Sequence, residues 1–151
     1  MRIPRKKRGF GLLELMLTLA MVSVLAAVAI PAYRGYIERV KVNRAITDIG
    51  GLSLSLYRFE TNTGSFPASL AAAGLDGIRD PWGRPYHYTN VATASISALR
   101  KNRNLIPINS DFDLFSAGPD GVFAGPLNAD QSRDDVVRAN NGAFIGAAKD
   151  Y

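Results

Sequence analysis

Residues 10–30 read FGLLELMLTLAMVSVLAAVAI, an almost unbroken apolar run that contains a single charge, Glu14. At about 1.5 Å of rise per residue, a helix of this length extends roughly 30 Å, close to the thickness of the hydrocarbon core of a bilayer. The run therefore predicts a helix long enough to cross a membrane. The orientation of this helix in the membrane determines on which side the rest of the chain lies.

Five basic residues precede the apolar run and indicate its orientation. They belong to the 18 basic side chains of the sequence, and everything after position 9 is neutral, with 13 basic and 13 acidic residues. A basic flank stays in the cytoplasm, which sends the C-terminal part of the chain across the membrane. The neutral remainder gives no support to a broad polyanion-binding face and leaves a local basic patch open. The five residues are Arg2, Arg5, Lys6, Lys7 and Arg8.

The composition excludes several kinds of chemistry. The 151 residues include no cysteine and a single histidine, His87. A disulfide framework, a thiolate nucleophile, the usual cysteine-bearing zinc sites and a cluster of imidazoles are therefore excluded. With 47% hydrophobic and 21% charged residues, the chain has an ordinary globular composition, and its length allows one domain plus one appendage.

Three interpretations of the apolar run compete: a permanent anchor, a signal peptide cut after Ala27 or Ala29, and an assembly helix. Glu14 argues against the first two, because a charge in a span costs about 2.5 to 3.5 kcal/mol near the middle and less toward the end, and neither role needs it. Cleavage after Gly9 would make Phe10 the new N-terminus and Glu14 the fifth residue. The new amine and the carboxylate could then pair within one chain, where the helix dipole also favours a negative charge in the first turn. They could instead pair between neighbouring chains.

The stretch KKRGFGLLELM (residues 6–16) resembles the class III leader and processing site of type IV pilins and type II secretion pseudopilins. The match comprises the basic leader, Gly9, Phe10, Glu14 and Pro31, the last where the family often has a helix-kinking proline. The resemblance implies that a prepilin peptidase cleaves between Gly9 and Phe10 and N-methylates Phe10. It also implies that Glu14 acts in the assembly of a helical filament, a homo-oligomer extracted from the membrane.

The resemblance divides the chain into a basic prepilin leader (1–9), a hydrophobic transmembrane and filament-core helix (10–31) and a periplasmic pilin-like globular domain (32–151). After residue 31 the apolar residues follow helical spacing, so the helix is expected to continue to about Glu60, where TNTGSFP carries turn chemistry. We interpret its apolar stripe as a face that packs against a core. The stripe is Tyr33, Tyr36, Ile37, Val40, Ile46, Ile49, Leu52 and Leu56.

The remainder of the sequence predicts the cover for that stripe. Residues 68–73 indicate a short helical piece, and residues 86–89 and 113–115 indicate strands, whereas residues 95–110 carry no clear pattern. The predicted fold class is α+β, a long N-terminal helix packed on a small antiparallel β-sheet with a loop-rich C-terminal region.

Two motifs lie in this region. The first, DPWGRPY (residues 80–86), predicts a tight turn before a strand, with Trp82 as an apolar plate. The second, DLFSAGPDGV (residues 113–122), is followed by Asp134 and Asp135 and gathers oxygen donors of the type that calcium binds. Aspartates in turns also commonly bond their own backbone, so both interpretations stay open.

Both motifs resemble those of the major pseudopilin of type II secretion systems. That resemblance implies a calcium site with carboxylates from Asp120, Asp134 and Asp135 and backbone carbonyls from Ala117 and Val122. Twelve residues separate Gly121 from Asp134, more than the family is expected to have, so Asn128 or Asp130 could also contribute.

The sequence is thus interpreted as a major pseudopilin that polymerises into a periplasmic pseudopilus driving protein export. Its expected partners are its own copies, the prepilin peptidase, minor pseudopilins and the inner-membrane assembly platform, with no nucleic acid. The expected location is the inner membrane, crossed once, with the C-terminal domain in the periplasm.

Two alternatives remain open. The first is a type IV pilin of a surface filament used for adhesion, motility or DNA uptake, since it shares the same N-terminal features. The second, an enzyme tethered by an anchor, has little support. His87 lies in Tyr-His-Tyr, a predicted strand with no serine or acid that it would obviously activate, and the adjacent Asp134 and Asp135 are expected to diverge rather than oppose each other across a cleft. No enzymatic activity is expected.

Overall fold

A single helix, α1 (Leu12–Thr63), accounts for 52 residues of the computed structural model, which describes residues 11–103 and 106–151. The helix continues through Pro31, although that residue cannot donate a backbone hydrogen bond. It ends at Thr63, and the following Gly64 has a φ of 82°, which glycine readily adopts, with its N–H donating to the carbonyl of Glu60 at 2.7 Å. The predicted long helix is confirmed and reaches three residues beyond Glu60.

The chain divides into two compact units, Met1–Glu38 and Arg39–Tyr151. In the first unit, the apolar side chains of α1 are exposed on all sides of the helix. Its most apolar 18-residue window has a mean hydropathy of 2.3 and no buried residue. By length and composition, α1 is able to cross a membrane. The exposed side chains are Leu12, Leu13, Leu15, Met16, Leu17, Leu19, Met21, Val22, Val24, Leu25, Val28 and Ile30.

The second unit contains six strands in the described part of the chain. Four form an antiparallel sheet in the order β1-β4-β5-β6, and β2 pairs with β3 in a separate antiparallel ribbon. Strands β1 and β4 overlap the two predicted strands. The bounds are β1 His87–Asn90, β2 Lys101–Asn102, β3 Ile106–Pro107, β4 Phe112–Ser116, β5 Val136–Ala139 and β6 Phe144–Ala147.

Short 3₁₀ turns connect these elements. The first replaces the predicted helical piece at residues 68–73 and is half its length. It ends at Gly74 in the left-handed conformation, with φ of 69°. The turns are Ala71–Ala73, Ile96–Ala98, Asp130–Ser132, Asn140–Gly142 and Ala148–Asp150.

The main core lies between the C-terminal part of α1 and one face of the four-stranded sheet. Ile49 and Leu56 are fully buried there against Phe112 and Leu114, which alternate along β4 and so share one face. The predicted α+β architecture is confirmed. A second cluster covers the opposite face and is made by Ile108, Phe115, Leu127, Val137, Ala139 and Ala148.

The first part of the predicted inward stripe is wrong. Tyr33, Tyr36 and Val40 are exposed, and the side chains packed against the main core begin at Val42, with Ala45 the first fully buried one. Helical spacing predicts which residues of α1 share a face, but it does not predict where along the helix the covering strands begin.

Candidate functional site

The predicted processing and assembly residues lie at the start of the chain. Gly9 and Phe10 are outside the described residues. Glu14 occupies the first turn of α1, is exposed, and is surrounded in sequence by exposed leucines. A carboxylate in the first turn is favoured by the helix dipole, and its exposure leaves it available to a partner.

The DPWG sequence forms the tight turn that was predicted. Asp80 is buried, and its Oδ1 accepts hydrogen bonds from the backbone N–H groups of Trp82 at 3.1 Å and Arg84 at 2.8 Å. Its Oδ2 accepts from the hydroxyl of Ser116 at 2.6 Å, which ties the turn to β4. Trp82 is half-buried and packs against the main core. Its predicted structural role as an apolar plate is therefore confirmed.

Arg84 joins the two sequence motifs, a link that the sequence analysis missed. Its Nη1 donates to the carbonyl of Gly118 at 2.6 Å and its Nη2 to the carbonyl of Pro119 at 3.1 Å. The guanidinium lies so close to Gly121 that a Cβ there would be 2.5 Å from its Cζ. Arg84 and Gly118 are 34 positions apart, so the sequence carries no local signal for this contact.

Two of the predicted calcium ligands, Asp120 and Ala117, make hydrogen bonds within the turn. The exposed Asp120 accepts a hydrogen bond at Oδ1 from the N–H of Val122 at 2.8 Å, and the carbonyl of Ala117 accepts one from the N–H of Gly121 at 3.0 Å. This is the local backbone bonding that the sequence left open for an aspartate in a turn. Neither bond uses every lone pair of its oxygen.

Asp135, the predicted calcium ligand that directly precedes β5, is fully buried. Its Oδ2 accepts from Arg100 Nη2 at 2.5 Å, and its Oδ1 has no hydrogen-bond partner. Burial raises the pKa of Asp135 to about 7. Arg100 opposes that rise, and the carboxylates of Asp134 and Asp120 add to it. The carboxylates of Asp120 and Asp134 are therefore close enough to Asp135 to contribute to its electrostatic surroundings.

Arg100 is the second functional residue that the sequence analysis missed. Its guanidinium is buried, lies 4.4 Å from the centre of the Phe115 ring and donates to the carbonyl of Ala124 at 2.6 Å. Its backbone N–H donates to Asp113 Oδ2 at 2.7 Å. One arginine thus holds together β4, the residue before β5 and the segment between them.

The predicted calcium ligands meet the requirements of a hard cation only in part. The unpartnered Oδ1 of Asp135 is a carboxylate oxygen of the type calcium prefers. Within residues 11–103 and 106–151, however, no three His, Cys, Asp or Glu side chains converge as a metal-binding group. Calcium binding by Asp120, Asp134, Asp135, Ala117 and Val122 stays a prediction.

His87 lies in an aromatic environment on the sheet face opposite α1. Its ring stacks on Phe115 with centroids 4.9 Å apart and lies 4.6 Å from the ring of Phe123. Burial, with a smaller contribution from Arg100, lowers the pKa of His87. The packing of this half-buried ring against Phe115 and Phe123 supports a structural role for His87.

A continuous helix with an exposed apolar N-terminal part and a small antiparallel sheet on its C-terminal part defines a pilin-like protein. Residues 4–30 match the family described as the prokaryotic N-terminal methylation motif, and this match includes Gly9, Phe10 and Glu14. The chain is thus a pilin-like protein with the sequence motif of N-terminally methylated subunits.

Two relatives match most of the chain and identify its family, and a third matches about half of it. A fimbrial protein of Neisseria meningitidis serogroup A is 32% identical over 140 residues, which are 89% of this chain and 81% of that protein. A type IV major pilin protein, PilE, of Neisseria gonorrhoeae is 30% identical over 141 residues, 89% of this chain and 83% of that protein. The fimbrial protein EcpC of Eikenella corrodens is 38% identical over 69 residues, 46% of this chain and 45% of that protein. The chain belongs to the type IV pilin family.

Proposed function

We propose that this protein is the subunit of a type IV pilus, a filament on the cell surface. The observation that carries the proposal is the similarity to a fimbrial protein and a major pilin along 89% of the chain, well beyond the N-terminal motif. The relatives favour this function over the secretion pseudopilin that the motifs at residues 80–86 and 113–122 resemble. Adhesion, motility and DNA uptake are the uses open to such a filament.

The proposed assembly begins with removal of residues 1–9 by a prepilin peptidase and methylation of Phe10. The exposed apolar part of α1 holds the subunit in the inner membrane until it joins the filament, where the same side chains are buried against neighbouring copies. Glu14 pairs with the N-terminal amine of a neighbouring subunit and so offsets the cost of a carboxylate in apolar surroundings.

The intact mass of the protein from membranes tests this proposal. Loss of residues 1–9 together with the gain of one methyl group is the expected result. An uncut chain, or one cut near Ala29, would rule out the assembly function. Full-length and processed forms differ by nine residues, so the measurement separates them without ambiguity.

The pseudopilin function is retained as a second candidate on one observation. Arg84 joins the DPWG turn to the GPDG turn through two hydrogen bonds, so the two motifs that resemble pseudopilins form one unit. As a pseudopilin, the protein would have minor pseudopilins and an inner-membrane assembly platform as partners. Shearing of intact cells distinguishes the candidates, because a surface pilus is released into the medium and a periplasmic pseudopilus is not.

We also propose calcium as a ligand of the 117–135 region. The unpartnered buried oxygen of Asp135 and the neighbouring charges of Asp120 and Asp134 support it. A bound divalent cation would supply positive charge to this cluster and order the loop. The loop has no disulfide to constrain it, since the chain contains no cysteine.

A further inference from the structure

A pocket of about 300 Å³ lies in the second unit and is lined by residues outside the motifs at 80–86 and 113–122. Its lining contains three basic side chains, two carboxamides and the side chain of Tyr151, together with the buried Leu127 and Ala148. The basic and carboxamide residues are Asn102, Arg103, Asn128, Arg133 and Lys149.

Backbone hydrogen bonds join the four chain segments that form this pocket. The N–H of Lys101 donates to the carbonyl of Gly125 at 3.0 Å, and the N–H of Leu127 donates to the carbonyl of Lys101, also at 3.0 Å. The N–H of Lys149 donates to the carbonyl of Arg133 at 3.3 Å. These bonds fix the segments in two pairs, 101 with 125–127 and 133 with 149, which reduces the backbone entropy lost when a ligand binds.

The charges of the pocket are poorly neutralised. Arg133 has one weak ion pair, 3.8 Å from Asp130, a side chain that is 98% exposed. Within the described part of the chain, neither Arg103 nor Lys149 has a carboxylate within 4.0 Å, although Asp150 follows Lys149 in sequence. The buried Arg100 and Arg138, by contrast, are each paired with an aspartate. Three like charges around one concavity repel each other, and an anion would relieve that repulsion.

We propose that this pocket binds a phosphate group. Guanidinium groups and carboxamides together offer many N–H donors in fixed directions, and Lys149 adds a third positive charge. A phosphate monoester carries a charge of about −1.5 to −2 and three strong acceptor oxygens, so it matches donors that approach from several segments better than a carboxylate does.

The site requires only the second unit and goes beyond the proposed pilus function. In a filament it would occur once per subunit, which would make binding of a chain of phosphodiesters multivalent. The neutral charge of the sequence after position 9 is compatible with such a site, because the basic residues are concentrated locally.

Binding is tested on the full chain in zwitterionic detergent micelles by NMR, with sodium phosphate titrated at constant ionic strength. The expected result is saturable shifts of the backbone amides of Asn102, Asn128 and Lys149. The double variant Arg103→Gln/Arg133→Gln should bind phosphate about tenfold or more weakly. The double variant Arg58→Gln/Arg79→Gln removes the same charge outside the pocket and should bind like the wild type.

Two further titrations identify the source of the phosphate. Sodium acetate at the same ionic strength should not shift these amides saturably. An oligothymidylate of eight nucleotides that competes with phosphate indicates a phosphodiester ligand, whereas failure to compete restricts the site to free phosphate or monoesters. Absence of saturation with phosphate, an equal response to acetate, or unchanged affinity in Arg103→Gln/Arg133→Gln with an intact spectrum elsewhere would overturn the proposal.

Discussion

Arg138 holds Asp111 through two parallel hydrogen bonds, Nη1 to Oδ1 at 2.9 Å and Nη2 to Oδ2 at 2.6 Å. The guanidinium is fully buried in β5, lies 4.0 Å from the centre of the Phe112 ring and also donates to the hydroxyl of Tyr57 on α1 at 2.7 Å. The hydroxyl of Tyr57 donates in turn to Asp111 Oδ2 at 2.7 Å. This triad connects α1, the residue before β4 and β5.

Replacing Arg138 by methionine should destabilise the second unit strongly. The substitution leaves the carboxylate of Asp111 without its main partner, and breaking a buried ion pair in this way costs about 3 to 5 kcal/mol. Urea unfolding of the full chain in detergent, followed by the fluorescence of Trp82, measures the loss. The exposed Arg58→Met on α1 is the matched control and should change stability by less than about 0.5 kcal/mol. Equal effects of the two substitutions would contradict the role of the triad.

The same pair predicts a dependence of stability on pH. Burial raises the pKa of Asp111, but hydrogen bonds from the Arg138 side chain, the Phe112 amide and the Tyr57 hydroxyl outweigh it, and the net pKa lies below the ordinary value. A depressed carboxylate pKa stabilises the folded state at pH values above the unfolded pKa of about 4, and that contribution is lost as the pH falls through the folded pKa.

Asp111→Asn should therefore be less stable than the wild type at pH 7, and the difference should shrink below about pH 4. Urea unfolding at a series of pH values measures both proteins. Asp76→Asn, which changes an exposed aspartate, is the control and should show no such trend. A difference that stays constant from pH 7 to pH 3 would show that the charge of Asp111 is not what stabilises the triad.

Arg84 should be needed for order in the 117–122 turn. Arg84→Ala removes both hydrogen bonds to the Gly118 and Pro119 carbonyls and is expected to cost about 1 to 3 kcal/mol. Hydrogen exchange of the amides of Gly121 and Val122 should accelerate, while exchange in β5 stays slow. Arg79→Ala, in an exposed position of the same region, is the control. Unchanged exchange at the turn would mean that its internal hydrogen bonds suffice.

The sequence predicts the parts of this fold that depend on local patterning. The apolar run at residues 10–30 and the helical spacing after it indicate α1, and β1 and β4 follow from their aromatic and branched residues. Strand β6, with the sequence FIGA, ends in two small residues with low strand propensity and was therefore not recognised. Strand β5 carries Arg138 on its core-facing side, where alternation predicts an apolar residue.

The candidate site was predictable in its residue types and not in its contacts. The GPDG turn and the pair Asp134 and Asp135 are visible in the sequence, and the structure brings their charges together. The arginines that bond to this region, Arg84 and Arg100, come from segments 34 and 35 residues away from their acceptors. Contacts at such separations depend on the tertiary fold, and a single sequence holds no periodicity that reports them.

Calcium, if bound as proposed, should stabilise the 117–135 region. The melting temperature of the full chain in detergent should rise with added CaCl₂ and fall with EDTA, because a ligand that binds only the folded state stabilises it by mass action. Asp134→Asn should abolish the response, whereas Asp76→Asn should retain it. A melting temperature that is the same in CaCl₂ and EDTA would remove calcium from the account and leave Arg84 and Arg100 as the cations that hold this region.

Glu14 should be required for assembly and dispensable for membrane insertion. Its carboxylate is exposed in the first turn of α1, next to apolar side chains that a lipid or a neighbouring helix would cover. Glu14→Ala makes the segment more apolar, so insertion should be unaffected, but the amine of the next subunit loses its counter-charge. Membrane fractionation and the yield of sheared filaments measure the two steps separately.

Thr18→Ala, one turn further along the helix, removes a polar group without removing charge and should leave the yield unchanged. Glu14→Gln keeps the hydrogen-bonding capacity and should fail to assemble as Glu14→Ala does. Filaments from Glu14→Gln in normal amount would show that the carboxylate acts through hydrogen bonding rather than through charge pairing.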